Sequence, residues 1–206
     1  MIKFPPKKYK INSYNFEEDY IKTLNSIQKK LDKRKIAKIC KLFEGAIRNK
    51  NRVFVLGNGG SAAVSNHFVC DFNKGLGKMM KNNKAKFISL TNSIELITAV
   101  ANDISYNKIF TNQLENFYEK GDIIYIMSCS GLSKNIIEAL KFANFKKAKV
   151  VFITGFLRKK LNYRFNVFIN LKCENYGICE DIFSSIMHMT YQKLKIQFSK
   201  DKNKII

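Results

Sequence analysis

The chain has only two histidines, and each stands near a carboxylate at a spacing that bears on chemistry. His67 and Asp71 are four residues apart, which on a helix puts both on one face, able to grip one ion or to work as an acid/base pair. His188 follows Glu180 by eight residues, about 12 Å of helix axis at ~1.5 Å per residue. That is a wide bite for one metal unless Glu180 sits in a frayed first turn and reaches inward. Two histidines with two carboxylates would suit zinc, a metal without redox activity. For each histidine taken singly, a capping or core role is the plainer reading.

Two loops add an anion-binding character. Gly57-Asn58-Gly59-Gly60-Ser61-Ala62 follows the apolar run Val53–Leu56, and its glycines let backbone amides approach an anion where a helix opens and its dipole favours negative charge. Ser128-Cys129-Ser130-Gly131-Leu132-Ser133 follows the run Ile123–Met127, and its hydroxyls and amides can surround a phosphate group. A dinucleotide fingerprint would need an acidic residue at the end of the next strand, but Phe87–Leu90 ends in Thr91-Asn92. Gly-Lys-Ser/Thr of a nucleotide P-loop is absent as well. Tight strand–helix connections alone could explain one such loop, and explain two less well.

The elements that must position these residues are legible in the hydrophobic pattern. Short continuous apolar runs, Val53–Leu56, Phe87–Leu90, Ile123–Met127, Val150–Thr154 and Val167–Leu171, alternate with helix-length segments. Continuous runs are strands covered on both faces, so the pattern predicts an α/β doubly wound, flavodoxin-like parallel sheet of about five strands. Ligands of such sheets lie at the carboxyl ends of the strands, where both loops fall. A long helix from about Cys179 to Phe198 closes the chain. Ahead of the first strand, Asn15-Phe16-Glu17-Glu18 reads as a capping box opening a helix to about Leu31. A second helix begins near Asp32, with Ile36, Ile39, Cys40, Phe43 and Ile47 on one face. Residues 1–50 thus read as a basic segment and N-terminal helical arm for packing or oligomerisation, and residues 51–206 as the ligand-binding domain.

Composition bounds the function. The 206 residues carry a net charge of +21, are 46% hydrophobic and 13% aromatic, and include ten Gly and two Pro, which excludes disordered and collagen-like classes. The charge invites a nucleic-acid role, but the cations are almost all Lys, with Arg only at 34, 48, 52, 158 and 164, whereas base-edge readout favours bidentate Arg. Abundant Lys, Asn and Ile match an A+T-biased coding sequence, so nucleic acid is not an expected partner. Five cysteines without a C-x-x-C pair support neither a disulfide framework nor a zinc knuckle, and a reducing cytoplasm is the expected location. No apolar run approaches the ~20 residues of a membrane span.

Together, Gly57-Asn58-Gly59-Gly60-Ser61, the spaced His67 and Asp71, Asn102-Asp103 followed by Ile109-Phe110, the Ser128–Ser133 loop, and a late helix bearing Glu180 and His188 resemble the sugar isomerase (SIS) domain. Within it they are similar to the phosphoheptose isomerases, which convert sedoheptulose 7-phosphate to D-glycero-D-manno-heptose 7-phosphate for lipopolysaccharide or capsule. The resemblance implies that Asn58, Gly59, Gly60 and Ser61 line the substrate site, that Ser128, Cys129, Ser130 and Ser133 hold the phosphate end, and that Asn102 and Asp103 contact the sugar chain. It further implies zinc at His67, Asp71, Glu180 and His188, with Asp71 and His188 as the proton-transfer pair and Asp71 and Glu180 also touching substrate. A homotetramer with sites at subunit interfaces is implied too.

The chain departs from the family pattern in three places. Asp71 stands where Glu is usual, Glu180 where Gln is usual, and Cys129 where Thr is common. Shortening the base by a methylene can withdraw it by about 1.5 Å, and misplacements near 1 Å can cost ~100-fold in rate. A second reading is therefore a sugar-phosphate-binding regulatory protein, similar to the DnaA initiator-associating proteins that share the fold.

Overall fold

A computed structural model describes residues 1–5, 15–77 and 86–202. Of the basic start, 6–10 lie outside the described residues. Five strands, β1 (Arg52–Leu56), β2 (Lys86–Ser89), β3 (Ile123–Ser128), β4 (Lys149–Thr154) and β5 (Val167–Asn170), form one sheet in the order β2-β1-β3-β4-β5. Every pairing is parallel. The runs expected to be strands are the strands, within two residues at each end; the central β3 is buried throughout, while the edge strands β2 and β5 alternate buried with half-buried or exposed residues.

Among the described residues there are seven α-helices: α1 (Phe16–Lys29), α2 (Lys33–Arg48), α3 (Gly60–Gly77), α4 (Ile94–Val100), α5 (Thr111–Phe117), α6 (Lys134–Phe145) and α7 (Tyr176–Lys202). Two cores result. One packs α2, α3 and α7 on one sheet face through Phe43, Phe68, Phe72, Ile182 and Phe183. The other packs α5 and α6 on the opposite face through Leu114, Ile136, Ala139 and Leu140. The arm expected at residues 1–50 is thus tied into the first core. Phe43 of α2 is fully buried and meets Phe68, Phe72 and Phe87 edge-on at 5.3–5.8 Å.

The helix starts depart from expectation at two places, in the capping of α1 and in the first residue of α7. Asn15 precedes α1 at φ −114°, ψ 10°, away from the extended backbone of a capping residue, and makes no side-chain cap bond. The expected capping box does not form, and Phe4 packs against Phe16 and Tyr20 at 5.3 and 5.7 Å where the helix begins. Asp32, in contrast, caps α2 by accepting from the Arg34 N–H. Helix α7 starts three residues before the expected Cys179, because the Asn175 side chain accepts from the Ile178 N–H at 2.8 Å. Glu180 therefore sits in the second turn of a capped helix, and the frayed first turn that would have let it reach His188 does not exist. Finally, the stretch between α4 and α5 is a π-helical turn, Ala101–Ser105, followed by a tight turn, Tyr106–Lys108.

Phe43→Ala, which empties the ring cluster joining arm to sheet, should cost about 3–5 kcal/mol of unfolding free energy. Urea denaturation followed by circular dichroism checks this; a loss below 1 kcal/mol would mean that α2 packs independently of the sheet.

Candidate functional site

Strands β1 and β3 are neighbours, yet the helices that follow them leave in opposite directions. α3 covers the first core and α6 the second. The crevice at their carboxyl ends is the switch point where such sheets bind ligands, and both loops singled out from the sequence open onto it. Gly57 is needed at this point, since a Cβ would meet the Met127 carbonyl at 2.7 Å. The side-chain amides of Asn58 and Asn135 bond reciprocally across the crevice, at 2.9 and 2.8 Å. Ser61 and Cys129 approach to 4.0 Å between oxygen and sulfur.

On the α6 side, the Ser128 hydroxyl accepts from the Gly131 N–H at 3.1 Å and the Ser130 hydroxyl from the Leu132 N–H at 3.3 Å, which folds the loop into a turn. Ser133 precedes α6 without a side-chain cap bond. In its place the Asn135 Oδ1 accepts from the Ile136 N–H at 2.9 Å, and the Lys134 and Asn135 amides at the start of α6 have no side-chain cap from Ser133. Asn102 and Asp103 lie exposed on the π-helical turn, bonded to each other at 2.7 Å. The Tyr106 hydroxyl, just beyond, donates to Asn58 at 3.4 Å and brings this segment to the rim.

Sequence reasoning missed Asn135 and Tyr106. Asn135 had a signal, being an amide in the first turn of the helix that the serine loop opens. Tyr106 had none, because a π turn followed by a tight turn breaks the periodicity that would have oriented it.

Farther along, α3 and α7 run side by side in the same direction. Gly60 faces Glu180, and Gly75 faces the Tyr191 ring; a Cβ at either glycine would overlap its neighbour. Between these two contacts, His67, Asp71 and His188 converge. The Nε2 atoms of both histidines lie 3.6 Å from Asp71 Oδ2, and the imidazole rings are 5.1 Å apart at 75°. Those separations are longer than hydrogen bonds. They fit the edge of a coordination tetrahedron, where ligand bonds of ~2.0–2.1 Å set donors about 3.3–3.4 Å apart. Two imidazole nitrogens and one carboxylate oxygen, all within 4.8 Å, can hold a metal ion and leave a position open. The histidine side chains are 52% and 47% exposed and Asp71 29%, so the group is reached from solvent.

Glu180 stands outside this group. Its carboxylate lies over Gly60 at the start of α3, with the Cys129 thiol 3.9 Å from Oε1. Burial raises its pKa above the ordinary carboxylate value, and the Ser61 N–H and hydroxyl turned toward it oppose the rise. Of the four residues expected to share one metal, the structure brings together three and places the fourth at the glycine loop.

A family model described as "SIS domain" matches residues 15–155. A probable phosphoheptose isomerase of Thermoplasma acidophilum is 34% identical over 160 residues, covering 77% of this chain and 86% of that protein. A phosphoheptose isomerase of Coxiella burnetii is 33% identical over 144 residues, 69% of each chain. The solved structure of a phosphoheptose isomerase from Francisella tularensis superposes with a TM-score of 0.79 at 24% identity, covering 88% of this chain and 95% of that one.

After dialysis against zinc and removal of the excess, the protein should retain about one metal per subunit through His67, Asp71 and His188. Retention should fall as pH is lowered and the imidazoles take up protons. Elemental analysis of a His67→Ala, His188→Ala double variant should show none retained, and full occupancy there would remove the metal from this group.

Proposed function

From the premise that the chain belongs to the SIS domain family and, within it, to the phosphoheptose isomerases, we propose that it isomerises sedoheptulose 7-phosphate to D-glycero-D-manno-heptose 7-phosphate, supplying heptose for lipopolysaccharide or capsule. The observation that carries this reading is the convergence of His67, Asp71 and His188 beside an anion-binding crevice. A protein that only bound sugar phosphates would need the loops and not the acid/base group.

The phosphate sits in the Ser128–Ser133 loop at the start of α6, and the sugar chain runs past Asn58 and the Asn102-Asp103 rim toward the histidines. From Gly60 to His67 is about 10 Å of helix axis at ~1.5 Å per residue, so a long open-chain sugar suits the site better than a triose. Both imidazoles face Asp71 Oδ2, which leaves the other carboxylate oxygen for the substrate. Asp71 removes a proton from C1 of the ketose while protonated His188 donates to the oxygen on C2, giving an enediol. Asp71 then returns its proton to C2 as His188 takes the proton from the oxygen on C1, and the aldose is formed.

The donor set fits zinc, held by His67, Asp71 and His188; when bound it would polarise the substrate's oxygens as a Lewis acid in place of the proton from His188, while the free oxygen of Asp71 still moves the carbon-bound proton. The enzyme works in the cytoplasm as a homotetramer. Five free cysteines agree with the first statement, and the absence, among the described residues, of a helix long and apolar enough to cross a membrane is compatible with it. Exposed Ile21 and Ile196, and a cavity of about 580 Å³ between the arm and α7 lined by Leu31, Ile36, His188 and Met189, agree with the second.

Hydrogen bonds to a charged group are worth ~1.5–3 kcal/mol, so Ser130→Ala should weaken sugar-phosphate binding roughly 10- to 100-fold. Purified protein should turn over sedoheptulose 7-phosphate, and calorimetry should show the weakened affinity in the variant. Binding without turnover, with and without zinc, would favour the regulatory reading.

A further inference from the structure

At the sheet edge opposite the crevice the strands begin, and two neighbouring helices end there. α5 ends at Phe117 and leads through Lys120 into β3, while α6 ends at Phe145 and leads through Lys146 and Lys147 into β4. Because Ile123 of β3 pairs with Lys149 of β4, these two turns lie side by side. The Tyr118 ring meets Phe142 edge-on at 5.7 Å and joins them. Each helix leaves its last phenylalanine outside, Phe117 at 47% exposure and Phe145 at 80%. Single exposed apolar residues are ordinary, but two phenylalanines on adjoining helix ends make a patch. Exposed cations flank it: Lys120, Lys146, Lys147, Lys149 and Arg164. Of the nearby acidic residues, Glu119 and Asp122 are both ion-paired with Arg52. Glu115 lies about 200° around α5 from Phe117, at ~100° per residue.

Helix stability explains only part of this. A cation at a helix C-terminus is favoured by the dipole, which accounts for Lys146 as the C-cap of α6. It does not account for Phe145, nor for Lys147, held at φ 52° in the left-handed region where glycine is unstrained. The Lys146 Nζ lies 5.7 and 5.8 Å from the ring centroids of Phe145 and Phe142, so that cation and exposed ring project together. Beside them a cavity of about 300 Å³ is lined by Lys147, Lys149, Arg164 and Phe165, with room and charge for a phosphodiester. We propose that this edge docks on an anionic lipid surface, with the two phenylalanines entering the boundary between headgroups and acyl chains and the flanking cations meeting lipid phosphates. Peripheral membrane contact combines these two attractions, buried apolar area and charge. Four of the five cations are Lys, which meets a lipid phosphate as a point charge, whereas nucleic-acid readout favours Arg and a row of stacking rings. Docking at this edge requires no membrane-spanning helix and leaves the crevice, at the other end of the strands, free for its ligand. The inference stands apart from the sugar-phosphate reading and does not depend on it.

The test is co-sedimentation of the full chain with vesicles of phosphatidylglycerol in phosphatidylcholine, compared with phosphatidylcholine alone. Wild type should bind the anionic vesicles at least about tenfold more tightly, and added salt should weaken that binding. Lys146→Gln with Lys147→Gln should weaken it about tenfold or more, since each cation near such a surface contributes. Phe117→Ser with Phe145→Ser should weaken it by a similar factor through lost insertion. Lys38→Gln with Lys41→Gln removes equal charge from exposed positions of α2 on the other sheet face, and should change binding by less than about threefold. Melting transitions report folding, and should either patch pair fail to fold, Phe145→Ser alone serves. Turnover of sedoheptulose 7-phosphate should be the same in every variant as in wild type, so that a failure of the isomerase reading and a failure of this one are told apart. Equal binding to both kinds of vesicle, binding to neither, or an equal loss in the α2 pair would overturn the proposal. Single-stranded RNA bound more tightly than the vesicles, and lost in the same patch variants, would overturn it in favour of nucleic acid.

Discussion

The close parallel approach of α3 and α7 is the contact on which the rest of the site depends. It is possible because Gly60 and Gly75 carry no side chain where the Glu180 carboxylate and the Tyr191 ring lie. Buried aromatic packing holds the pair down on the sheet, with Phe68 and Phe72 stacked at 4.4 Å and Phe72 against Tyr191 at 5.5 Å. Once the two glycines fix the axial register, His188 must come level with His67 and Asp71, since all three fall between the two contacts. A one-residue slip would rotate His188 by about 100° around its helix and dissolve the group.

The crevice obeys a separate constraint, that of the sheet. Reversing the winding direction between β1 and β3 opens a crevice at their carboxyl ends, and the Asn58–Asn135 amide pair spans it. Anion recognition and proton transfer are thus carried by different packing arrangements, the first by strand order and the second by helix register. α3 belongs to both, starting at the crevice and carrying His67 and Asp71 two turns and three turns later. This shared helix is why a substrate anchored at one end can be worked on at the other.

Much of this was legible in the sequence, where the physics is local or periodic. Doubly buried strands appear as continuous apolar runs, α2 shows its buried face through Ile36, Ile39, Phe43 and Ile47, and the glycine and serine loops declare themselves by composition. What stayed hidden depends on direction and on distant partners. The i,i+4 spacing put His67 with Asp71, but nothing local showed that His188 would join them while Glu180, on the same helix, would turn to Gly60. The Asn175 cap, which lengthens α7 and withholds Glu180 from the metal group, lies outside any hydrophobic period. The reciprocal amide pair joins residues 77 apart in sequence. The departures at Asp71 and Glu180 acquire different meanings in the structure: the shorter carboxylate still reaches both histidines, and the added charge lies at the start of α3.

The central claim is that Asp71 moves a carbon-bound proton of a ketose phosphate, and solvent isotope incorporation tests it without requiring net turnover. Sedoheptulose 7-phosphate incubated with the protein in heavy water, with zinc present, should acquire deuterium at C1, and the aldose product at C2, as followed by proton NMR. Asp71→Asn, which keeps size and most hydrogen bonding, should slow that exchange at least ~100-fold with little change in ligand affinity. Absence of exchange in wild type, or exchange in Asp71→Asn at the wild-type rate, would contradict the account.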